Sequence, residues 1–290
     1  MRLVFLGTPE AAVASLDALL GAGHDVALVV TRPDRRRGRG GELSPSPVKR
    51  AALEHHLRVT HRLADAADVG AESGVVVAYG AIIPTSLLDV LPMLNVHFSL
   101  LPRWRGAAPV QRAILAGDHE TGVSIMTLEP SLDTGPVHLE RRLAIGEDNA
   151  EELTRRLADL GATSLIEVLA SPELLDHPVA QSGEPTYAEK ITAREYQLRP
   201  DMTRVLAWRT VRLGHAYFII DNRRIVIADA QRSDHDGVPG ALVARQGQVL
   251  LGLSDGCLAL SEVRPEGRAT MAAQSWWGGL RPAQDQRSWS

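Results

Sequence analysis

The first half of the chain alternates short apolar runs with turn-bearing segments, a spacing that suits strands and crossover helices. Arg2-Leu-Val-Phe-Leu6, Val26-Ala-Leu-Val-Val30 and Val75-Val-Val-Ala78 are brief and apolar without polar alternation. That is the pattern of strands covered on both faces of a parallel sheet. Between the first two, Ala11 to Leu20 reads as a helix. Thr8 is placed to cap it, with Pro9 at its first position, Glu10 in its first turn and Gly21 and Gly23 stopping it. This order predicts a right-handed crossover between parallel strands. A second helix begins at Pro45-Ser-Pro47 and runs to His55-His56, followed by a strand at Leu57–Thr60. The connection from His61 to Gly74 is short for a full crossover helix.

A further strand ends in Asn95-Val-His97. Pro102, Gly106 and Pro109 then delay any regular helix until about Val110, and the helix stops at Gly117. Strands are predicted at Gly122–Thr127 and His138–Ile145, and a long amphipathic helix over Ala150–Leu169. Pro-bearing Ser171–Gln181 reads as a connecting segment. Beyond Tyr196 the texture changes. One helix, Met202–Leu213, precedes short β-like runs at Tyr217–Ile220, Arg224–Ala228, Gly240–Val243, Val249–Leu253 and Leu258–Val263. Five short strands separated by turns such as Ser254-Asp-Gly256 predict a small open barrel of the OB type. The fold class is therefore α/β: a Rossmann-like domain with a mostly parallel sheet, followed by a small OB-like β-barrel. The expected divisions are 1–185, a linker over 186–200, and 201–290.

Composition adds little to this, but charge adds something. With 44% hydrophobic and 23% charged residues, the chain has the make-up of a globular protein with a substantial core. The net charge of −4 argues against an obligate nucleic-acid binder, yet it is unevenly spread. Residues 1–185 carry 17 Lys/Arg against 24 Asp/Glu, whereas residues 186–290 carry 14 against 11. A mildly basic C-terminal part is compatible with a phosphate-rich partner. The single cysteine, Cys257, excludes an internal disulfide framework and fits a reducing, cytoplasmic setting. No run approaches membrane-spanning length, and the N-terminus enters a strand without a signal-peptide layout. The paired His55 and His56 have no matched third ligand, so no metal is expected.

Chemistry concentrates in Val75–Gly135. Asn95 and His97 stand two apart on one strand and so share a face. Ser131-Leu-Asp133-Thr-Gly135 adds a carboxylate on a glycine-ended loop. Asn, His and Asp together suit acyl transfer: His for proton traffic, Asn as an oxyanion donor, and Asp to orient and charge the His. Separately, Thr31–Gly41 holds five arginines and three glycines. Such a stretch cannot pack inside and reads as an exposed, flexible loop.

The segment Asn95-Val-His97-Phe-Ser-Leu-Leu-Pro-Arg-Trp-Arg-Gly106, followed by Leu132-Asp-Thr-Gly135, resembles the signature of enzymes that use 10-formyltetrahydrofolate. Its longer form, Ser99 to Ile114, is similar to the methionyl-tRNA formyltransferases in particular. Phe5-Leu-Gly-Thr-Pro-Glu10 and Pro185-Thr-Tyr-Ala-Glu-Lys-Ile191 extend the likeness along the chain. The resemblance implies Asn95, His97 and Asp133 as catalytic residues. It also implies a folate pocket at Ala78, Tyr79, Gly80, Ser99, Leu100, Pro102 and the Asp133 loop. Arg35, Arg36, Arg37 and Arg39 would reach the acceptor end of a charged initiator tRNA. The expected partners are thus that tRNA and the folate donor, with no metal and no membrane, and the chain acting as a monomer.

The turn Val211-Arg-Leu-Gly-His215 departs from the family, which has a Pro-Gly turn there. That favours an alternative acceptor, a small amine such as a nucleotide-linked amino sugar or an ornithine derivative. The arginine loop opposes it. A third reading, a folate- or RNA-binding protein that has lost catalysis, is opposed by the intact Asn95, His97 and Asp133.

Overall fold

The computed structural model describes residues 1–37, 41–280 and 286–290. The chain divides into two compact units. The first comprises residues 1–110, 119–146 and 152–189; the second comprises 111–118, 147–151 and 190–290.

The first unit is built on strands β1 (Arg2–Gly7), β2 (Asp25–Val30), β5 (Val59–Thr60), β6 (Ser73–Val77), β7 (Met93–His97), β9 (Glu120–Thr127) and β10 (Val137–Ala144). Among the described residues these form one seven-stranded sheet in the order β10-β9-β7-β6-β1-β2-β5. From β5 to β7 every pairing is parallel, while β9 and β10 join antiparallel at the other edge. The central strands are apolar and buried because helices lie on the sheet; Leu3, Val4, Phe5, Leu6, Val75 and Val77 are wholly inaccessible. Helix α1 (Val13–Gly21) links β1 to β2, and α2 (Pro47–Glu54) leads to β5. The β6–β7 connection holds only the short α3 (Thr85–Leu88), and a six-residue 3₁₀ turn, Leu63–Asp68, precedes β6. The chain winds from β1 outward to β5 and then returns to β6 on the other side of β1. Ligands of such sheets bind at this reversal, at the carboxyl ends of the strands. Here Gly7 and Ala78 flank it.

Helix α5 (Ala150–Ala170) covers the face of β7 that carries Val96. A Cβ on Gly161 would lie 2.7 Å from Val96 Cγ1 and 3.6 Å from the Phe98 ring, so glycine lets the helix approach closely. Alternation along β7 therefore turns Asn95 and His97 to the opposite face.

Three expectations need correction. Thr8 does not cap a helix: its hydroxyl donates to the Tyr79 carbonyl at 3.0 Å, tying the β1 loop to the β6 loop. Ser171–Gln181 is not a free connection. It contains α6 (Pro172–Asp176), capped by Ser171, and Val179 exchanges both backbone hydrogen bonds with Val137 at 2.8 Å. The arginine stretch is not loop throughout, because β3 (Arg35–Arg37) pairs antiparallel with β4 (Glu42–Ser44). Exposure stands: Arg35 and Arg36 are on the surface.

The second unit begins its regular structure with α7 (Arg204–Val211), shorter than the predicted helix and capped by Thr203. Strands β12 (Tyr217–Ile220), β13 (Arg223–Ser233), β14 (Ala241–Arg245), β15 (Gln248–Leu253), β16 (Gly256–Pro265) and β18 (Gln286–Ser288) run antiparallel in the order β12-β13-β16-β15-β14-β18. A two-residue strand, β17 (Met271–Ala272), adds to β16. Past β18, Ser290 and Ile219 of β12 exchange backbone hydrogen bonds of 2.7 and 2.8 Å, which joins the two ends of the sheet. The predicted barrel is present, with two more strands than its sequence pattern gave. Its core gathers Phe218, Trp276 and Trp289, the two indoles meeting the Phe218 ring edge-on at 5.9 and 5.8 Å. No helix among the described residues is long and apolar enough to cross a membrane.

Candidate active site

His97 ends β7, and its ring is held at Nε2. Nε2 lies 2.9 Å from the Trp104 carbonyl, an acceptor only, so Nε2 carries the hydrogen and donates. Nδ1 is left to face Asp133 Oδ2 at 3.8 Å, close enough for an ion pair when the imidazole is charged. Both side chains are nearly buried, 7% and 11% exposed, so water screens the pair little. Asn95 is also buried, and among the described residues its carboxamide has no hydrogen-bond partner. A buried amide with free donors two residues from a directed imidazole is a ready receptor for negative charge on a substrate oxygen.

The turn after β7 sets this geometry. Ser99 is fully buried and donates to the Arg103 carbonyl at 2.5 Å; Ser124 donates to the Ser99 carbonyl and accepts from the Leu101 N–H. Trp104 then takes a left-handed backbone, φ +61, which presents its carbonyl to His97 while its N–H donates to Thr186 Oγ1. Arg105 and Gly106 form β8, paired parallel with β11 (Tyr187–Ala188). Gly106 is required twice over: its φ is +117, and a Cβ would lie 2.9 Å from the Ala188 carbonyl oxygen. Its N–H donates to Asp133 Oδ2 at 2.7 Å, so the oxygen facing His97 is held by the main chain.

Asp133 itself sits at φ +50, a left-handed conformation that Asp tolerates better than most residues. Gln181 closes the loop from behind. Its amide nitrogen donates to the Asp133 and Gly135 carbonyls at 2.8 Å each, and its oxygen accepts two bonds from Arg105 at 3.0 and 2.6 Å. Sequence reasoning missed Gln181, and also the Trp104 carbonyl and the Gly106 N–H. The Pro102–Pro109 punctuation signalled the turn; nothing signalled Gln181.

The structure thus brings Asn95, His97 and Asp133 to one side of β7. Of the residues expected around the folate, Ala78 and Gly80 are exposed with φ of +46 and +76, whereas the Tyr79 side chain packs into the core beside Val4, Leu6 and Ile83. The Tyr79 carbonyl is taken by the Thr8 hydroxyl at 3.0 Å. Leu100 and Pro102 are half-buried; Leu100 packs over Gly122, and the Pro102 carbonyl accepts from the Thr186 N–H. Among the expected acceptor-binding residues, Arg35 and Arg36 lie exposed on β3, the Arg37 backbone pairs with Glu42, and Arg39 lies outside the described residues. At the hairpin's base Asp34 takes Lys49 Nζ in two bonds of 2.9 and 2.8 Å, and the Thr31 and Ser46 hydroxyls meet at 2.7 Å. No group of His, Cys, Asp and Glu among the described residues is arranged to hold a metal ion.

Residues 1–169 match the formyl transferase family and residues 204–281 the formyl transferase C-terminal domain. The methionyl-tRNA formyltransferase of Heliobacterium modesticaldum is 41% identical over 308 aligned residues, covering 97% of this chain and 98% of that protein. Among solved structures, an N-formyltransferase from Helicobacter canadensis, in complex with folinic acid and dTDP-3-aminofucose, shares the fold. Its TM-score is 0.69 at 15% identity, covering 91% of this chain and 100% of the other. A methionyl-tRNA formyltransferase from Clostridium thermocellum matches with a TM-score of 0.61 at 16% identity, covering 91% and 98%.

Proposed function

The chain belongs to the formyl transferase family, and on that premise we propose that it transfers the formyl group of 10-formyltetrahydrofolate to the α-amino group of methionine on charged initiator tRNA. The observation that carries the chemistry is the unpartnered Asn95 carboxamide sharing a strand face with His97, whose Nδ1 faces Asp133 at 3.8 Å, beyond hydrogen-bond reach, and so stays open to the substrate. The amine nitrogen attacks the formyl carbon, and the carbonyl electrons move to oxygen. Asn95 and protonated Nδ1 of His97 meet that oxyanion, each such donor contributing about 2.7–4 kcal/mol. Collapse breaks the bond to the folate nitrogen, which takes up a proton as the attacking ammonium loses one; His97 Nδ1 carries that traffic. Asp133 faces Nδ1 at 3.8 Å and orients the ring. Its own position rests on the Gly106 N–H.

The folate is assigned to the reversal point of the sheet. There the exposed residues Ala78 and Gly80 offer main-chain edges to a flat ring, and Leu100, Pro102 and the Asp133 loop are assigned as the wall; Tyr79 and Ser99, both buried, would support it from behind. Arg35, Arg36, Arg37 and Arg39 are assigned to the acceptor; the guanidinium groups of Arg35 and Arg36 are exposed, which suits phosphates and unpaired bases. We assign the reaction to the cytoplasm and to a monomer; the lone, buried Cys257 supports the first.

The deciding experiment supplies 10-formyltetrahydrofolate with charged initiator tRNA in one arm, and with a nucleotide-linked amino sugar or an ornithine derivative in the other. Formylation of the tRNA-borne methionine alone is expected. Formylation of the small amine alone overturns the acceptor.

A further inference from the structure

We propose that Gln181 is a positioning residue for formyl transfer, holding the Asp133 loop so that its carboxylate stays aimed at His97 Nδ1. The inference rests on the reading of Asp133 as the partner of His97 in that reaction. Asp133 occupies a left-handed backbone, φ +50, a sparsely populated conformation that persists where neighbours enforce it. Gly135 adds a second constraint: a Cβ there would lie 1.9 Å from the Thr127 carbonyl oxygen, so the loop folds tightly back on β9. Within this loop the Asp133 and Gly135 carbonyls both take hydrogen bonds of 2.8 Å from one amide nitrogen, that of Gln181.

The other end of the same amide is equally committed. Gln181 Oε1 accepts from Nε and Nη2 of Arg105 at 3.0 and 2.6 Å. Arg105 immediately precedes Gly106, whose N–H holds Asp133 Oδ2 at 2.7 Å. Gln181 therefore links the backbone that carries Asp133 to the turn that holds its carboxylate. A change in either is passed to the 3.8 Å separation between Asp133 and His97.

The chemistry of the side chain is specific. Two donors must meet two carbonyls while an acceptor meets a guanidinium, and a carboxamide supplies both. A glutamate could accept from Arg105 but would set a carboxylate against two carbonyl oxygens. A methionine would keep length and packing with neither donor nor strong acceptor.

The test uses full-length Gln181→Met, Gln181→Glu and Gln181→Asn proteins, with 10-formyltetrahydrofolate and charged initiator tRNA as substrates. Displacement of a catalytic group by about 1 Å costs about 10²-fold in rate. Gln181→Met is accordingly expected to lose about 10–100-fold in kcat, with KM for 10-formyltetrahydrofolate and the thermal midpoint held near wild type. Gln181→Glu should do no better, and Gln181→Asn should recover part of the loss. Arg105→Ala combined with Gln181→Met should lose no more than the worse single variant, because both act through one linkage. In substrate-free protein, the His97 imidazole NMR signals should move in Gln181→Met, as Asp133 draws away from the 3.8 Å approach. A kcat near wild type in Gln181→Met and Gln181→Glu overturns the proposal; so does a loss of stability with the His97 signals unmoved. If wild type fails to formylate charged tRNA, the acceptor reading falls, while the NMR arm still decides the role of Gln181.

Discussion

The turn over residues 99–108 and the arginine segment with its paired strands β3 and β4 both read as irregular chain, yet the structure treats them oppositely. In the turn, Ser99, Trp104, Arg105 and Gly106 each engage a partner well separated along the chain, and the result is an imidazole held at Nε2 with Nδ1 facing Asp133. In the hairpin the ordering contacts lie at its base, Asp34–Lys49 and Thr31–Ser46, while Arg35 and Arg36 have no ion-pair partner among the described residues. The difference follows from the task. Stabilising developing charge requires groups oriented before reaction, since reorienting them costs part of the gain. Attracting phosphate requires only charge that water leaves available.

Substitutions separate the two regions most sharply where the effect is largest. His97→Ala removes both an oxyanion donor and the proton carrier, so kcat should fall about 10³-fold with folding preserved, measured by initial rates and circular dichroism. Gly106→Ala strains φ +117 and drives a methyl toward the Ala188 oxygen. It should cost about 1–3 kcal/mol in a urea titration and about 10²-fold in kcat, as the Asp133 anchor shifts.

In the hairpin the effects should be smaller and of another kind. Arg35→Ala and Arg36→Ala should leave kcat and folate binding near wild type. Each should raise KM for charged tRNA and reduce the log–log salt slope of binding by about one where a phosphate contact is lost.

The smallest effect lies in the second unit and sharpens the contrast by touching neither region. Arg112, 2.5 Å from Glu195, and the Thr192 N–H hold the Glu195 carboxyl below its ordinary value. A depressed pKa means stability that is present above the unfolded carboxylate value and is lost as pH falls through the folded one. The urea midpoint of wild type should therefore exceed that of Glu195→Gln at neutral pH. The gap should close as pH falls below about 4.3.

What was legible in sequence depended on how local its cause was. Runs such as Val75–Ala78 declared buried strands because consecutive apolar residues have few other homes, and Asn95 with His97 declared a shared face because a strand repeats every second residue. The hydroxyl of Thr8 misled because a cap is a local preference, and the Tyr79 carbonyl 71 positions away won it. Gln181 was invisible for the same reason: its partners lie 46, 48 and 76 positions away, and no pattern marks a carboxamide that bridges them. The barrel's closing strand, Gln286–Ser288, is three residues without apolar alternation, so only its pairing with Ala241–Val243 defines it.

The central claim is that Asn95, His97 and Asp133 work as one charge-stabilising unit on charged tRNA. Single-turnover formyl transfer at saturating 10-formyltetrahydrofolate tests it directly in wild type, Asn95→Ala, Asp133→Ala and the double variant. Each single substitution is expected to slow the step by about 10²–10³-fold, with the double variant little slower than the worse single one. A near-normal rate in either single variant, or losses that multiply in the double, would contradict the account.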